Sequence, residues 1–133
     1  MKTLRLQVSI ILLILFGAMQ PIMAQADVVT KPQFPGGDKA LVQFIDNNLK
    51  YPEEAQKQKW EGKTLVAFTV NEDGSLTNVR VLKSSQVVLD AEAMRIIKLM
   101  PKWSPATVNG TPKKEMVVLP VNFDMKVMKN IMY

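Results

Sequence analysis

Met116-Val117-Val118-Leu119-Pro120-Val121-Asn122-Phe123-Asp124-Met125 is the stretch on which the fold turns. From Val117 onward every second residue is apolar (Val117, Leu119, Val121, Phe123, Met125), the period of a half-buried β-strand. The alternate positions, Val118, Pro120, Asn122 and Asp124, form a mixed face suited to water. Proline has no N–H to give a neighbouring strand, so Pro120 predicts an edge strand with its nitrogen side turned outward. Because main-chain direction alternates along a strand, the N–H groups of Val118 and Asn122 then point outward too. An open edge of this kind is a template on which another chain can pair.

The elements before it follow from local pattern. Pro35-Gly36-Gly37 breaks the chain. Ala40, Leu41, Phe44, Ile45 and Leu49 then recur at helical spacing, which predicts a helix over residues 38–49 with Asp38 in its first turn. Tyr51-Pro52-Glu53-Glu54 opens a second, shorter helix, with Pro52 at the first helical position and Trp60-Glu61-Gly62 ending it. Residues 63–70 alternate, with Val66, Phe68 and Val70 on one face. Asn71-Glu72-Asp73-Gly74 is a hairpin turn in which Gly74 needs positive φ. Residues 76–83 return with Val79 and Val81 inward. Leu89, Ala93, Ile96, Ile97 and Met100 mark a third helix, expected to be the longest, which Pro101 and Pro105 end around Trp103. Asn109-Gly110-Thr111-Pro112 turns the chain into the last strand.

A hairpin followed by a helical crossover makes the third strand antiparallel to the first. Antiparallel neighbours predominate, so the first strand belongs in the centre. The expected fold class is α+β: a three-stranded antiparallel sheet of order 2-1-3 with helices packed on one face.

The 133 residues suggest one domain. Histidine and cysteine are both absent, which excludes thiolate and imidazole zinc sites, cysteine nucleophiles, Ser-His-Asp relays and disulfides. Residues 1–26 read as a signal peptide: Lys2 and Arg5, an apolar run over residues 8–19, then Ala24-Gln25-Ala26 as a small-x-small cleavage site. The alternative is an uncleaved inner-membrane anchor. An exported chain is expected in the periplasm or outside the cell, and the periplasm is the leading expectation. Without Lys2 and Arg5 the formal charge falls from +5 to +3. The lysines are scattered with no basic run interleaved with aromatics, so nucleic acid is not an expected partner. Residues 27–33 read as a linker, residues 34–125 as the domain and residues 126–133 as a tail.

No catalytic, cofactor-binding or metal-binding residues are expected. Glu53 and Glu54 are neighbours on a helix and diverge, while Glu61 and Glu72 lie near turns, so no carboxylate pair is set to share a substrate. Ser84-Ser85 has no histidine to activate it. Trp103 reads as packing, Trp60 as a cap on the sheet. Tyr51 reads equally as a wedge between helices or as a contact for a docked peptide. Lys50 and Lys57 read as solvated charges that an acidic partner would find nearby.

Taken in order, Pro32-Gln33-Phe34-Pro35-Gly36-Gly37, Asn48-Leu49-Lys50-Tyr51-Pro52, the Val66 to Gly74 hairpin, Leu89-Asp90, Met100-Pro101-Lys102-Trp103 and Asn109-Gly110 resemble the C-terminal domain of TonB-type energy transducers. The likeness covers residues 32–125. It implies a non-enzymatic binding module that docks an extended segment, the TonB box, of an outer-membrane transporter by strand addition to its last strand. The partner-binding residues it implies are Lys50, Tyr51 and Pro52 beside the segment, and Val118, Pro120 and Asn122 on the strand. Energy-transducing members also have an uncleaved membrane helix and a long spacer. Here residues 27–33 reach about 25 Å at most, so the expectation is binding without transmitted force. The other reading is an adaptor or structural protein that forms a homodimer through the same edge.

Overall fold

The computed structural model describes residues 26–126. The expected signal peptide (but for Ala26) and tail (but for Lys126) lie outside the described residues. The elements run β1 (Val29–Thr30), α1 (Gly37–Asn48), α2 (Glu53–Gln58), β2 (Gly62–Val70), β3 (Leu76–Lys83), α3 (Val87–Lys98), β4 (Ala106–Val108), β5 (Thr111–Lys113) and β6 (Glu115–Phe123). No described helix is long and apolar enough to cross a membrane.

The main sheet has the order β3-β2-β6, the expected 2-1-3 arrangement, and both pairings are antiparallel. Val66, Phe68 and Val70 of β2 and Val121 and Phe123 of β6 are buried on one face. Onto that face α3 turns Leu89, Glu92, Ala93, Ile96 and Ile97, spaced i, i+3, i+4, i+7 and i+8 as a helix needs to present one stripe. From α1, Leu41 is buried and Ala40, Phe44 and Ile45 pack against the same core. Trp103 sits in it edge-on to Phe34 and Phe68, with ring centroids 5.8 and 5.2 Å apart.

Two glycines are required by geometry. Gly36 stands before α1 with φ 89°, and a Cβ there would lie 2.8 Å from that of Ala40. Gly74 closes the β2–β3 turn with φ 85°, and its Cβ would lie 2.1 Å from the Trp103 carbonyl oxygen. That approach is productive, because the Trp103 N–H donates to the Gly74 carbonyl at 2.9 Å. The hairpin is thereby tied to the segment leading into β4.

Several expectations need correction. Residues 27–33, read as a linker, carry β1, which pairs with β4 through Val29↔Val108 and Thr30↔Thr107. Asn109 fastens this strand: its N–H donates to the Val28 carbonyl at 2.8 Å and its Oδ1 accepts from the Val28 N–H at 2.9 Å. The turn before the last strand is a further hairpin, β4–β5, with Asn109 and Gly110 at φ 51° and 82°, as a two-residue turn between antiparallel strands requires. Strands of two or three residues are too short to show a period. The third helix is not the longest; α1 and α3 have 12 residues each. Pro52 stands just before α2 with ψ 138° rather than at its first position. Val79 packs against the core and Val81 stands opposite the buried Val66, both half-buried on the expected inward face.

Candidate functional site

In the main sheet β6 has one partner, β2, so its other edge is unpaired within that sheet. The β2–β6 register runs without a break over nine residue pairs, from Gly62↔Phe123 to Val70↔Glu115. Pro120 lies opposite Leu65, Val118 opposite Ala67 and Asn122 opposite Lys63. Directly paired residues share a face, so Met116, Val118, Pro120 and Asn122 line the face turned away from the core. All four are exposed, Met116 at 52% and Val118 at 42%. Arg80 of β3 crosses this face to reach the Met116 sulfur, Nη2 to Sδ 3.0 Å. The crossing passes over the central strand, where Ala67 is fully buried.

The Lys50-Tyr51-Pro52 turn is held by α3. Glu92 is buried, and its Oε2 accepts the Lys50 backbone N–H at 2.6 Å. The Arg95 guanidinium grips the same carboxylate through Nε and Nη2. Nη2 also donates to the Asn48 carbonyl at 2.7 Å, satisfying an acceptor that the end of α1 would otherwise leave unpaired. Tyr51 is buried. Its ring meets Phe123 edge-to-face at 5.9 Å and its hydroxyl donates to the Trp60 carbonyl. Burial, then the carboxylates of Glu61 and Asp124, push this phenol above its ordinary range. The Tyr51 ring thus packs in the core and touches the far end of β6. Pro52 is half-buried, and its carbonyl accepts the Gln56 N–H at 3.0 Å. Lys50 and Lys57 are exposed, Trp60 packs against the core and Trp103 is buried.

Sequence reasoning missed a groove of about 260 Å³ between α1 and the β6 edge, lined by Val42, Ile45, Asp46, Pro120 and Asn122. One signal was available: Val42 is apolar yet falls off the buried stripe of α1, and it is 57% exposed. What could not be read locally is that residues 42–46 meet residues 120–122.

A second polar cluster joins the start of β2 and the end of β3 to α3. Asp90 accepts at Oδ1 from the buried Thr64 hydroxyl at 2.8 Å and the Ser85 N–H at 3.1 Å, and at Oδ2 from the Ser84 hydroxyl. Burial raises its pKa, but these hydrogen bonds more than offset that and hold the carboxyl below the usual range. Every donor here is matched, which marks the cluster as a fastening between β2, β3 and α3. Among the described residues no group of three or more acidic side chains converges as metal ligands would.

Residues 47–125 match the family described as Gram-negative bacterial TonB protein C-terminal. The chain is 34% identical over 86 residues to Protein TonB of Helicobacter pylori (strain ATCC 700392 / 26695), covering 62% of this chain and 28% of that protein. It is 33% identical over 107 residues to Protein TonB of Xanthomonas campestris pv. campestris (strain B100), covering 73% and 48%. It is also similar to an NMR solution structure of the Helicobacter pylori TonB C-terminal domain, with TM-score 0.51 and 28% identity over 68% of this chain and 86% of that one. The chain spans between about a fifth and about half the length of the curated relatives it matches.

Proposed function

This chain belongs to the Gram-negative bacterial TonB C-terminal family, and we propose that it is a periplasmic binding module for outer-membrane TonB-dependent transporters. Its β6 edge captures the transporter's extended TonB box as an added strand and so takes part in transport across the outer membrane. The observation that carries this reading is the unbroken β6 register with Pro120 opposite Leu65. A proline inside a regular ladder belongs where the N–H side faces away from the partner strand. The N–H groups of Val118 and Asn122, two residues to either side, then face outward as donors for an incoming chain. Main-chain bonds supply affinity and neighbouring side chains supply choice. Lys50, Tyr51 and Pro52 contribute from the end of the strand, where the Tyr51 ring meets Phe123.

The test is titration of the isotope-labelled protein with a transporter-derived TonB-box peptide, followed by amide NMR shifts. Binding at β6 moves the amides of Val118 and Asn122 most. Shifts confined to β3 or to the outer side of α3 would overturn the proposal.

A second reading is self-association through the same edge, favoured by the exposure of Met116 and Val118 beside it. Size in solution across a concentration series separates the two. A monomer that binds the peptide supports docking, and a tight dimer indifferent to peptide supports self-association.

A further inference from the structure

We infer that the groove between α1 and β6 is a charge-selecting side-chain pocket, in which Asp46 chooses a docked segment that carries a lysine or arginine. The inference rests on the docking reading of the β6 edge.

The groove lies along the edge where a strand would be added, since Pro120 and Asn122 form one wall and Val42, Ile45 and Asp46 the other. Residues 42, 45 and 46 follow helical spacing i, i+3, i+4, so they stand together on one side of α1. At about 260 Å³ the space falls below the roughly 300–1,000 Å³ of small-molecule sites. It suits one side chain. Position follows from strand pairing: residues directly opposite share a face, and Val121 faces the helices, fully buried. The residue of an added strand opposite Val121 therefore sends its side chain toward α1 and into the groove.

The lining specifies the chemistry of that side chain. Val42 and Ile45 of α1 offer apolar surface, the β6 edge closes the other side at residues 120 and 122, and the single charge is the Asp46 carboxylate. Among the described residues Asp46 is exposed, and the ion pair found is Arg95–Glu92, which is elsewhere. A lysine or arginine lays its methylene stem on apolar surface while its head stays polar, so it fits both halves of the pocket. A glutamate meets like charge, and glutamine fits the stem but gains no ion pair.

The experiment uses the full chain and three synthetic peptides of one alternating valine–threonine sequence. They carry lysine, glutamine or glutamate at a single central inward-facing position. Fluorescence anisotropy gives each Kd, and amide shifts at Val118 and Asn122 report where each peptide sits. The lysine peptide binds about two- to fivefold tighter than the glutamine peptide, the size expected of a partly exposed ion pair, and the glutamate peptide binds most weakly. Asp46→Asn brings the three constants together, and Asp46→Lys reverses their order. Raising the salt concentration narrows the native spread. Equal constants for the native protein, or an order that persists in Asp46→Asn, would overturn the inference and leave the docking edge standing. If no peptide binds and the Val118 and Asn122 amides do not move, the docking reading fails and the pocket falls with it.

Discussion

The two outer strands of the main sheet are both edges, yet they are built to opposite ends. β3 is irregular: its register against β2 shifts between Leu65 and Val66 and again between Ala67 and Thr69. Asn78, within the second shift, has φ 55°, and the strand carries Arg80 and Lys83. Bulges and charges on an edge discourage further pairing. β6 has nine pairs in unbroken register and no charged residue from Met116 to Phe123. A regular edge whose one charge, Glu115, stands at its first residue invites a partner, and Pro120 is the one position without an N–H. A single sheet thus has one irregular, charged edge and one regular edge that is unpaired within it.

Substitutions at four positions test that contrast, and the largest effect belongs to the turn that closes the irregular side. Gly74→Ala adds a Cβ that collides with the Trp103 carbonyl at a positive φ. It should cost about 3 kcal/mol or more of stability, read as a lower urea midpoint. A loss below about 1 kcal/mol would show that the turn and Trp103 relax apart.

Next is Asp90, which fastens the irregular side to α3. Its carboxyl is held below its ordinary value: burial opposes this, and the bonds from Ser84, Thr64 and Ser85 outweigh it. A depressed folded pKa gives stability that is present above the unfolded value near 3.9 and is lost as pH falls through the lower folded value. Asp90→Asn should therefore lower stability at neutral pH by about 2 kcal/mol, the range of hydrogen bonds to a charged group. It should also flatten the acid limb of a stability–pH profile below about pH 4. An unchanged acid limb would remove Asp90 from the account of acid sensitivity.

Asn78→Val tests the bulge itself. A β-branched residue is strained in the left-handed region, and the cost should be about 1–2 kcal/mol, whereas Asn78→Gly should be close to neutral. If valine is accepted freely, the bulge is not set by Asn78. The smallest change in stability, within about 0.5 kcal/mol, is expected for Pro120→Thr on the open edge. That substitution restores one outward donor and should tighten peptide binding or promote dimers by the worth of one hydrogen bond, about 0.5–1.5 kcal/mol. Destabilisation by several kcal/mol would mean that the residue-120 nitrogen faces β2.

The contrast was half visible in the sequence. Alternation from Val117 to Met125, with Pro120 within it, marked an edge strand, and the Asn71 to Gly74 turn joined to a helical crossover put β2 in the centre. The stripe Leu89, Ala93, Ile96, Ile97 identified α3 because one buried face suffices to repeat it. The irregularity of β3 was hidden, since a bulge at Asn78 depends on how two strands settle against each other rather than on period. The β1-β4-β5 sheet was hidden because β1 is two residues long and is held by Asn109, some eighty positions away in the chain. The Asp46 groove was hidden for the same reason: α1 and β6 meet only in the folded chain.

Native-state hydrogen exchange along β6, in the free protein and with a TonB-box peptide, tests the outward edge most directly. In the free protein the amides of Val118 and Asn122 should exchange quickly while those of Leu119 and Val121 are protected by β2. With peptide, Val118 and Asn122 should slow toward their neighbours. Protection at Val118 in the free monomer together with rapid exchange at Leu119 would contradict the open edge.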